Sequence, residues 1–302
     1  MLFFRWRRRS ARATLVDPGA QVLTAEMSQQ ARTTRRYLEE SDYLLPKDKE
    51  EEYRLNFQHY ALYQAIGSHY VAPIVEHVRL MLDIGAGTGI WPMEMAALFP
   101  QAQVIGIDID PALFKPDLPE NCYLRTGNVL SGLPFPDALF GYTHQRLLTA
   151  AITAENWPRV VRELIRVTRP GGWVECVEID HQMQNAGPAG QQLQELMASV
   201  GKSLGFDGEV IRHLGDLLKQ EGLQSVEVQP IVIPVGEWGG RAGSMMKRDF
   251  LSVIDTLKPL YCQRGALSPA SFDQLVQVMA GEWETYQARC TFFVAYGKRV
   301  RA

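Results

Sequence analysis

The sequence predicts an α/β protein built on a mostly parallel sheet. Three observations carry the prediction. A glycine-rich turn, Leu82-Asp83-Ile84-Gly85-Ala86-Gly87-Thr88-Gly89, follows an apolar lead-in from Val78 and opens a helical pattern over Ile90 to Phe99. Strand, glycine turn and helix in that order begin a nucleotide-binding βαβ unit. A second apolar strand, Ala102 to Ile107, ends in Asp108, about 25 residues past Asp83 and near the spacing of a carboxylate that grips ribose hydroxyls. Beyond it, strand and helix patterns keep alternating, which implies parallel strands joined by crossovers.

The elements follow in order. Gln29 to Glu40 reads as a polar helix, and Ser41 to Lys49, with Pro46, as a loop. Glu50 to His69 has helical spacing, with Tyr53, Phe57, Tyr60, Leu62 and Ile66. Placed ahead of the nucleotide unit, this region reads as a lid across its open face. Tyr37, Tyr43 and Tyr53 either cover a cofactor or simply pack. In the glycine turn, Gly85 and Gly87 permit a sharp bend and close approach of a ligand, and Gly89 lets the next helix pack near the strand. Asn121 to Arg125 and Phe140 to His144 are strands, separated by the turn Leu133-Pro134-Phe135-Pro136-Asp137. Trp157 to Val167 is an amphipathic helix, Arg169-Pro170-Gly171-Gly172 a turn and Trp173 to Ile179 a strand. Helices are expected over Gly190 to Leu204 and Glu209 to Glu221, and strands over Val226 to Val235 and Cys290 to Tyr296. Between those last strands, residues 237–288 read as a helical cap insertion, a usual place for a substrate pocket to be shaped.

Composition narrows the function. Hydrophobic residues make up 46% and charged residues 22%, the balance of a globular protein with a large core. A net charge of -3 gives no global attraction for nucleic acid or anionic membrane. The four cysteines, Cys122, Cys176, Cys262 and Cys290, form no metal-binding spacing, so no metal is expected and a reducing cytoplasm is the default compartment. No apolar run reaches the roughly 18 residues of a membrane span. Residues 1–28 read as a disordered basic tail, with Arg5, Arg7, Arg8, Arg9 and Arg12 among Phe3, Phe4 and Trp6. An upstream start, with Met27 as the working one, and attachment to anionic lipid are the two readings of that tail. It lacks the apolar stretch of a secretory signal.

Asp-Ile-Gly-Ala-Gly-Thr-Gly from Asp83, Val-Ile-Gly-Ile-Asp ending at Asp108 and Arg-Pro-Gly-Gly-Trp ending at Trp173 resemble the class I S-adenosylmethionine-dependent methyltransferases. Leu45-Pro46-Lys47-Asp48, Glu51, Arg54-Leu55, Gln58-His59, Gly89-Ile90-Trp91, Glu94-Met95-Ala96, Phe99-Pro100, Asn156-Trp157-Pro158 and Glu175 to Asp180 resemble its LaeA/UMTA-type branch. The resemblance covers Tyr43 to Asp180 well and is looser beyond, where Pro234-Val235-Gly236-Glu237-Trp238 fits.

It implies a Rossmann-like, seven-stranded, mostly parallel sheet with an antiparallel last strand, and S-adenosyl-L-methionine as cofactor. By motif position, Gly85, Ala86, Gly87 and Gly89 would lie against the cofactor's ribose and methionine parts. Asp83 would hold its amino end, Asp108 its ribose hydroxyls, and Ile109, Asn128 and Val129 its adenine. Asn128 stands where the family usually has Asp, and Gly141 where Asp often follows the Phe.

Methyl transfer needs alignment and water exclusion, and a base only where the acceptor must lose a proton. His144, at the end of the fourth strand, is the first candidate base. It also reads as a structural histidine bonding a loop carbonyl. Glu178 and His181, around the end of the fifth strand, complete the catalytic set. Arg146, Trp238 and His59 are candidate substrate contacts, with Arg54 and His59 also readable as structural. The expected partner is a small-molecule, secondary-metabolite acceptor rather than nucleic acid or an integral membrane. A non-catalytic regulator that keeps the cofactor fold is the alternative. A nicotinamide dehydrogenase would add a second βαβαβ half, which the chain after Ile179 does not provide.

Overall fold

A computed structural model describes residues 45–46, 48–74 and 78–300. The basic tail and the helix expected over Gln29 to Glu40, with Tyr37 and Tyr43, lie outside the described residues.

The strands are β1 (Leu80–Ile84), β2 (Gln103–Asp108), β3 (Cys122–Thr126), β4 (Phe140–Arg146), β5 (Thr168–Ile179), β6 (Leu223–Pro234) and β7 (Arg289–Arg299). They form one sheet in the order β3-β2-β1-β4-β5-β7-β6. Strands β1 to β5 pair in parallel, and β7 runs antiparallel to both β5 and β6. This is the seven-stranded arrangement expected. The strand order reverses direction at β1, between β2 and β4, and ligands bind beyond the carboxyl ends of strands at such a switch point.

Eight helices are described: α1 (Lys49–Ile66), α2 (Ile90–Leu98), α3 (Trp157–Val167), α4 (Gly187–Ser203), α5 (Glu209–Arg212), α6 (Leu214–Gln220), α7 (Gly240–Arg264) and α8 (Pro269–Thr285). Central strand β4 is buried almost throughout, as a strand covered on both faces must be. An irregularity in its pairing between Phe140 and Tyr142 turns these two side chains to opposite faces of the sheet. Tyr142 packs with Met81, Trp91 and Met95 beneath α2. On the other face Phe140 packs with Leu82, Ile84 and Val174 against Val160, Val161 and Leu164 of α3.

Three boundaries differ clearly from the sequence reading. Helix α1 stops at Ile66 because Gly67 takes a left-handed conformation at φ 77° and its N–H caps Tyr63 O, so His69 lies in the following segment. The helix expected over Glu209 to Glu221 breaks into α5 and α6 at His213. Strand β5 begins at Thr168 rather than Trp173, the Pro-Gly-Gly turn being absorbed as an irregularity in its pairing with β4. The long insertion holds α7 and α8, and the strands it separates are paired neighbours. No described helix is long and apolar enough to cross a membrane.

Candidate cofactor and active site

The glycine turn leaves β1 at the switch point and is tied down by main-chain bonds. Ala86 N donates to Ile107 O at 2.9 Å and Gly89 N to Ala86 O at 2.9 Å. Two positions require glycine. Gly85, at φ 71°, sits where a Cβ would run into Leu148 Cδ2, and Gly89, at φ 82°, begins α2 where a Cβ would lie 2.5 Å from Leu124 Cδ1. Gly106 provides the close approach of α2 to the sheet, since a Cβ there would meet Pro92 at 3.0 Å.

Asp108 stands buried at the end of β2. Its Oδ2 accepts from Gly87 N at 2.8 Å and its Oδ1 from Asp110 N at 3.1 Å. A carboxylate has about four acceptor sites, so this one can hold the turn and still meet a vicinal diol. Ile109 beside it is exposed, an apolar face at the turn's edge. Asn128 Oδ1 caps the next turn by accepting from Leu130 N at 2.9 Å, and Val129 is buried under it. Carboxylate, apolar side chain and amide thus line one edge of the sheet, a set of groups that suits an adenosyl ligand.

Asp83 and His144 are register neighbours on β1 and β4. His144 Nδ1 lies 2.8 Å from Asp83 Oδ1, and its ring stacks on Trp91 at 3.9 Å and 4°. His144 is nearly inaccessible. Its partner is a carboxylate rather than the loop carbonyl considered from sequence.

A third group lies between α1, residues 68–72 and the ends of β4 and β5. His59 Nδ1 is 2.7 Å from Arg146 Nη2, and its Nε2 is 2.9 Å from Glu94 Oε2. His69 Nε2 is 3.0 Å from the same oxygen. Burial, reinforced by the Arg146 charge, pushes His59 down to about 4. Burial pushes the Glu94 carboxyl up, but the His59 hydrogen bond and the charges of His59, His69 and Arg146 more than offset it, so the net movement is downward. Glu175, fully buried, accepts from Val71 N at 2.9 Å and Ala72 N at 2.5 Å and so pins the segment that carries His69. Burial raises the Glu175 carboxyl. A cavity of about 20 Å³, room for a water molecule, is lined by His59, His69, His144, Arg146, Glu175 and Val177 among others.

The remaining sequence candidates lie apart from this cluster or are occupied otherwise. Glu178 belongs to the opposite sheet face and has no solvent exposure. Its two oxygens accept from Leu148 N at 2.8 Å and Thr149 N at 3.3 Å, and burial lifts its carboxyl to about 8. It anchors the loop after β4. His181 is exposed, its ring against Gly208. Trp238 is held at the β6–α7 junction by its Nε1 bond to Val235 O at 3.2 Å, by Glu284, and by Arg289 5.3 Å from its ring. Arg54 pairs with Glu51 at 2.6 Å and Asp249 at 2.9 Å, a structural lock between α1 and α7. His69, Glu94 and Glu175 were not singled out as site residues from sequence. His69 follows a helix-ending glycine with no pattern to mark it, whereas Glu94 and Glu175 stand inside family motifs.

Known proteins resemble this chain in sequence and in fold. Residues 81–172 match a family described as a methyltransferase domain. The N-methyltransferase sirN of Leptosphaeria maculans is 28% identical over 275 residues, covering 87% of this chain and 96% of that protein. The methyltransferase str3 of Strobilurus tenacellus is 30% identical over 206 residues, covering 64% of this chain and 70% of that protein. Among solved structures, Haemonchus contortus phosphoethanolamine N-methyltransferase 2 in complex with S-adenosyl-L-methionine superposes with a TM-score of 0.50 at 15% identity, over 81% of this chain. The chain spans 52% of that protein, and the likeness there is one of fold. With its seven-stranded sheet, its strand-end carboxylate and these relatives, the chain belongs to the class I S-adenosylmethionine-dependent methyltransferases, in their LaeA-like branch.

Proposed function

We propose that this methyltransferase acts on nitrogen in a small secondary metabolite, with its cofactor seated on Gly85 to Gly89, Asp108, Ile109, Asn128 and Val129. The observation that carries the cofactor seat is Asp108, a buried carboxylate fastened to the Gly87 N–H at the sheet's switch point. The nitrogen acceptor is supported by the named activity of the relative that matches almost end to end. When bound, S-adenosylmethionine supplies a methyl group on a sulfonium whose departure leaves a neutral thioether.

The residues divide the remaining work. Asp108 takes the ribose hydroxyls. Asp83 turns toward the amino end, and His144 fixes its rotamer from beneath, which makes His144 a positioning residue rather than the base. Helix α1 is the lid: Leu55 is the side chain a Cβ at Gly87 would touch, at 3.4 Å, and Asn56 Oδ1 accepts from Thr88 Oγ1 at 2.7 Å. Arg146 and His59 belong to the acceptor side. Glu178 holds the loop and His181 and Trp238 take no part in the chemistry. Helix α7 braces the lid from the insertion through the Arg54–Asp249 pair.

Calorimetry with S-adenosylhomocysteine tests the seat. Asp108→Ala is expected to weaken binding at least tenfold. His144→Ala is expected to weaken it several-fold, because Asp83 loses its partner. Wild-type affinity in Asp108→Ala removes the assignment. Wild-type affinity in His144→Ala with lost turnover, in a screen of amine and amide acceptors, returns His144 to the role of base.

A further inference from the structure

The cluster under α1 has a definite hydrogen-bond direction. A guanidinium only donates, so His59 Nδ1 must accept from Arg146. A neutral His59 then carries its proton on Nε2 and donates it to Glu94. Glu94 is therefore an ionised acceptor, and His69 Nε2 lies 3.0 Å from the same oxygen, where the carboxylate's charge favours a proton on that nitrogen. That leaves His69 Nδ1 with a lone pair. No bond from this nitrogen is recorded among the described residues, and the ring borders the cavity at the carboxyl ends of β4 and β5.

Everything around the ring holds it still. It stacks on Tyr63 at 4.4 Å and on His59 at 5.5 Å. Its carbonyl accepts from Trp91 Nε1 at 2.8 Å, and Trp91 in turn stacks on His144. An imidazole with one nitrogen beside a carboxylate, on a ring that lines a cavity, has the arrangement of a general base and its orienter.

We propose that His69 is the general base of the methyl transfer, oriented by Glu94, and that the acceptor is a nitrogen or oxygen bearing a proton. The inference rests on the methyltransferase reading and names the acceptor class of the same site. The acceptor's electron pair forms the new bond to the methyl carbon while the carbon–sulfur pair leaves on sulfur. The acceptor's proton passes to His69 Nδ1, and Glu94 balances the resulting imidazolium. His59 and Arg146 are positioning residues that hold Glu94 in place. The charged and titratable groups around His69 are Glu94 from α2, His59 and Tyr63 from α1, Arg146 and His144 from β4, and Glu175 from β5. Burial, with the Arg146 and His144 side chains, outweighs Glu94, so His69 sits below its ordinary value and is neutral at pH 7.

The same side chains could be read as a metal centre, since ligand atoms of His59, His69 and Glu94 lie within 4.8 Å of one another. A metal on His59 Nε2 would require a proton on Nδ1, where Arg146 also places a hydrogen. The hydrogen-bond direction thus favours the base.

Nitrogen-15 imidazole NMR on the full chain with bound S-adenosylhomocysteine decides without an acceptor. The signal absent in His69→Gln is expected to be neutral at pH 7, with its proton on Nε2. A proton on Nδ1, an imidazolium at pH 7, or joint displacement of the His59 and His69 signals by equimolar Zn²⁺ would overturn the proposal. With an acceptor from the turnover screen, His69→Gln is expected to lower kcat by about 10²-fold or more and to erase the acid limb of its pH profile. Its S-adenosylhomocysteine affinity should stay within twofold. Unchanged kcat also overturns the proposal, whereas loss of S-adenosylhomocysteine binding in the wild type would strike the methyltransferase reading instead.

Discussion

The cofactor edge and the α1 roof lie side by side, yet they are built by different means. The edge is made of backbone. Its turn is fixed by Ala86, Gly87 and Gly89 N–H groups and by positive φ angles, all within 25 residues of Asp83. The roof is made of side chains that meet across the chain. Arg54 reaches Asp249, 195 residues away, and Arg146 reaches His59, 87 residues away. Backbone geometry gives the edge one shape whatever acceptor is used. Side-chain locks leave the roof free to differ between enzymes that share the donor.

The lock between Arg54 and Asp249 sets how far this contrast goes. Asp249 is almost fully buried and also accepts from Gln58 Nε2 at 2.8 Å. Removing one partner of a buried pair costs about 3–5 kcal/mol, because the other charge is left in a poor solvent. Glu51 still shares Arg54, so Asp249→Ala should sit near 3 kcal/mol by urea denaturation. The glycine turn should survive, with S-adenosylhomocysteine still bound by the folded fraction. A loss under 1 kcal/mol would mean that α1 is held by apolar packing and that the contrast is false.

The same contrast explains what the sequence could tell. The glycine turn and Asp108 belong to a local pattern of strand, turn, helix and strand, so the elements over residues 83–108 could be read directly. Helix α3 was legible to the residue because Trp157, Val160, Val161 and Leu164 repeat at helical spacing. Strand β5 was misread at its start, since Pro170 and Gly171 signal a turn that pairing with β4 overrides. The role of His144 was ambiguous for a different reason. Its position at a strand end is visible in sequence, but the carboxylate beside it comes from a neighbouring strand 61 residues earlier. His69 carries no signal at all, as its neighbour Glu94 sits on helix α2 and its support, Glu175, on a strand further on. Glu178 and His181 are only three positions apart in the chain yet go to different places, because Glu178 points inward from the strand and His181 lies past its end.

An intermediate effect sharpens the edge. Glu178 holds Leu148 and Thr149, and Leu148 is the residue packed against Gly85. Its carboxyl is lifted by burial to about 8 in the folded chain. The folded state therefore keeps the proton where the unfolded chain releases it. Stability from this group is complete below the ordinary carboxylate value and is lost as pH rises towards 8, after which the curve is flat. Glu178→Gln, a mimic of the protonated form, should flatten that decline by a few kcal/mol, measured as urea midpoints from pH 5 to 9. An unchanged slope would show that the loop rests on its backbone bonds alone.

The weakest tie between the two regions is the ion pair of Lys115 Nζ with Glu52 Oε1 at 2.6 Å, which joins the loop after Asp108 to the roof. Both side chains are about one-third exposed or less, 33% and 26%. Water reaches the pair and salt screens it, so its contribution is about 0.2–1 kcal/mol. Lys115→Met should cost no more than that at low salt and nothing measurable near 1 M salt, where the screening length is about 3 Å. The loop itself has a second attachment, Lys115 N to Thr88 O at 3.3 Å, which the substitution leaves in place. A loss above 2 kcal/mol, or one that persists at high salt, would mean that edge and roof are one cooperative unit. The donor seat and the acceptor roof could not then vary independently.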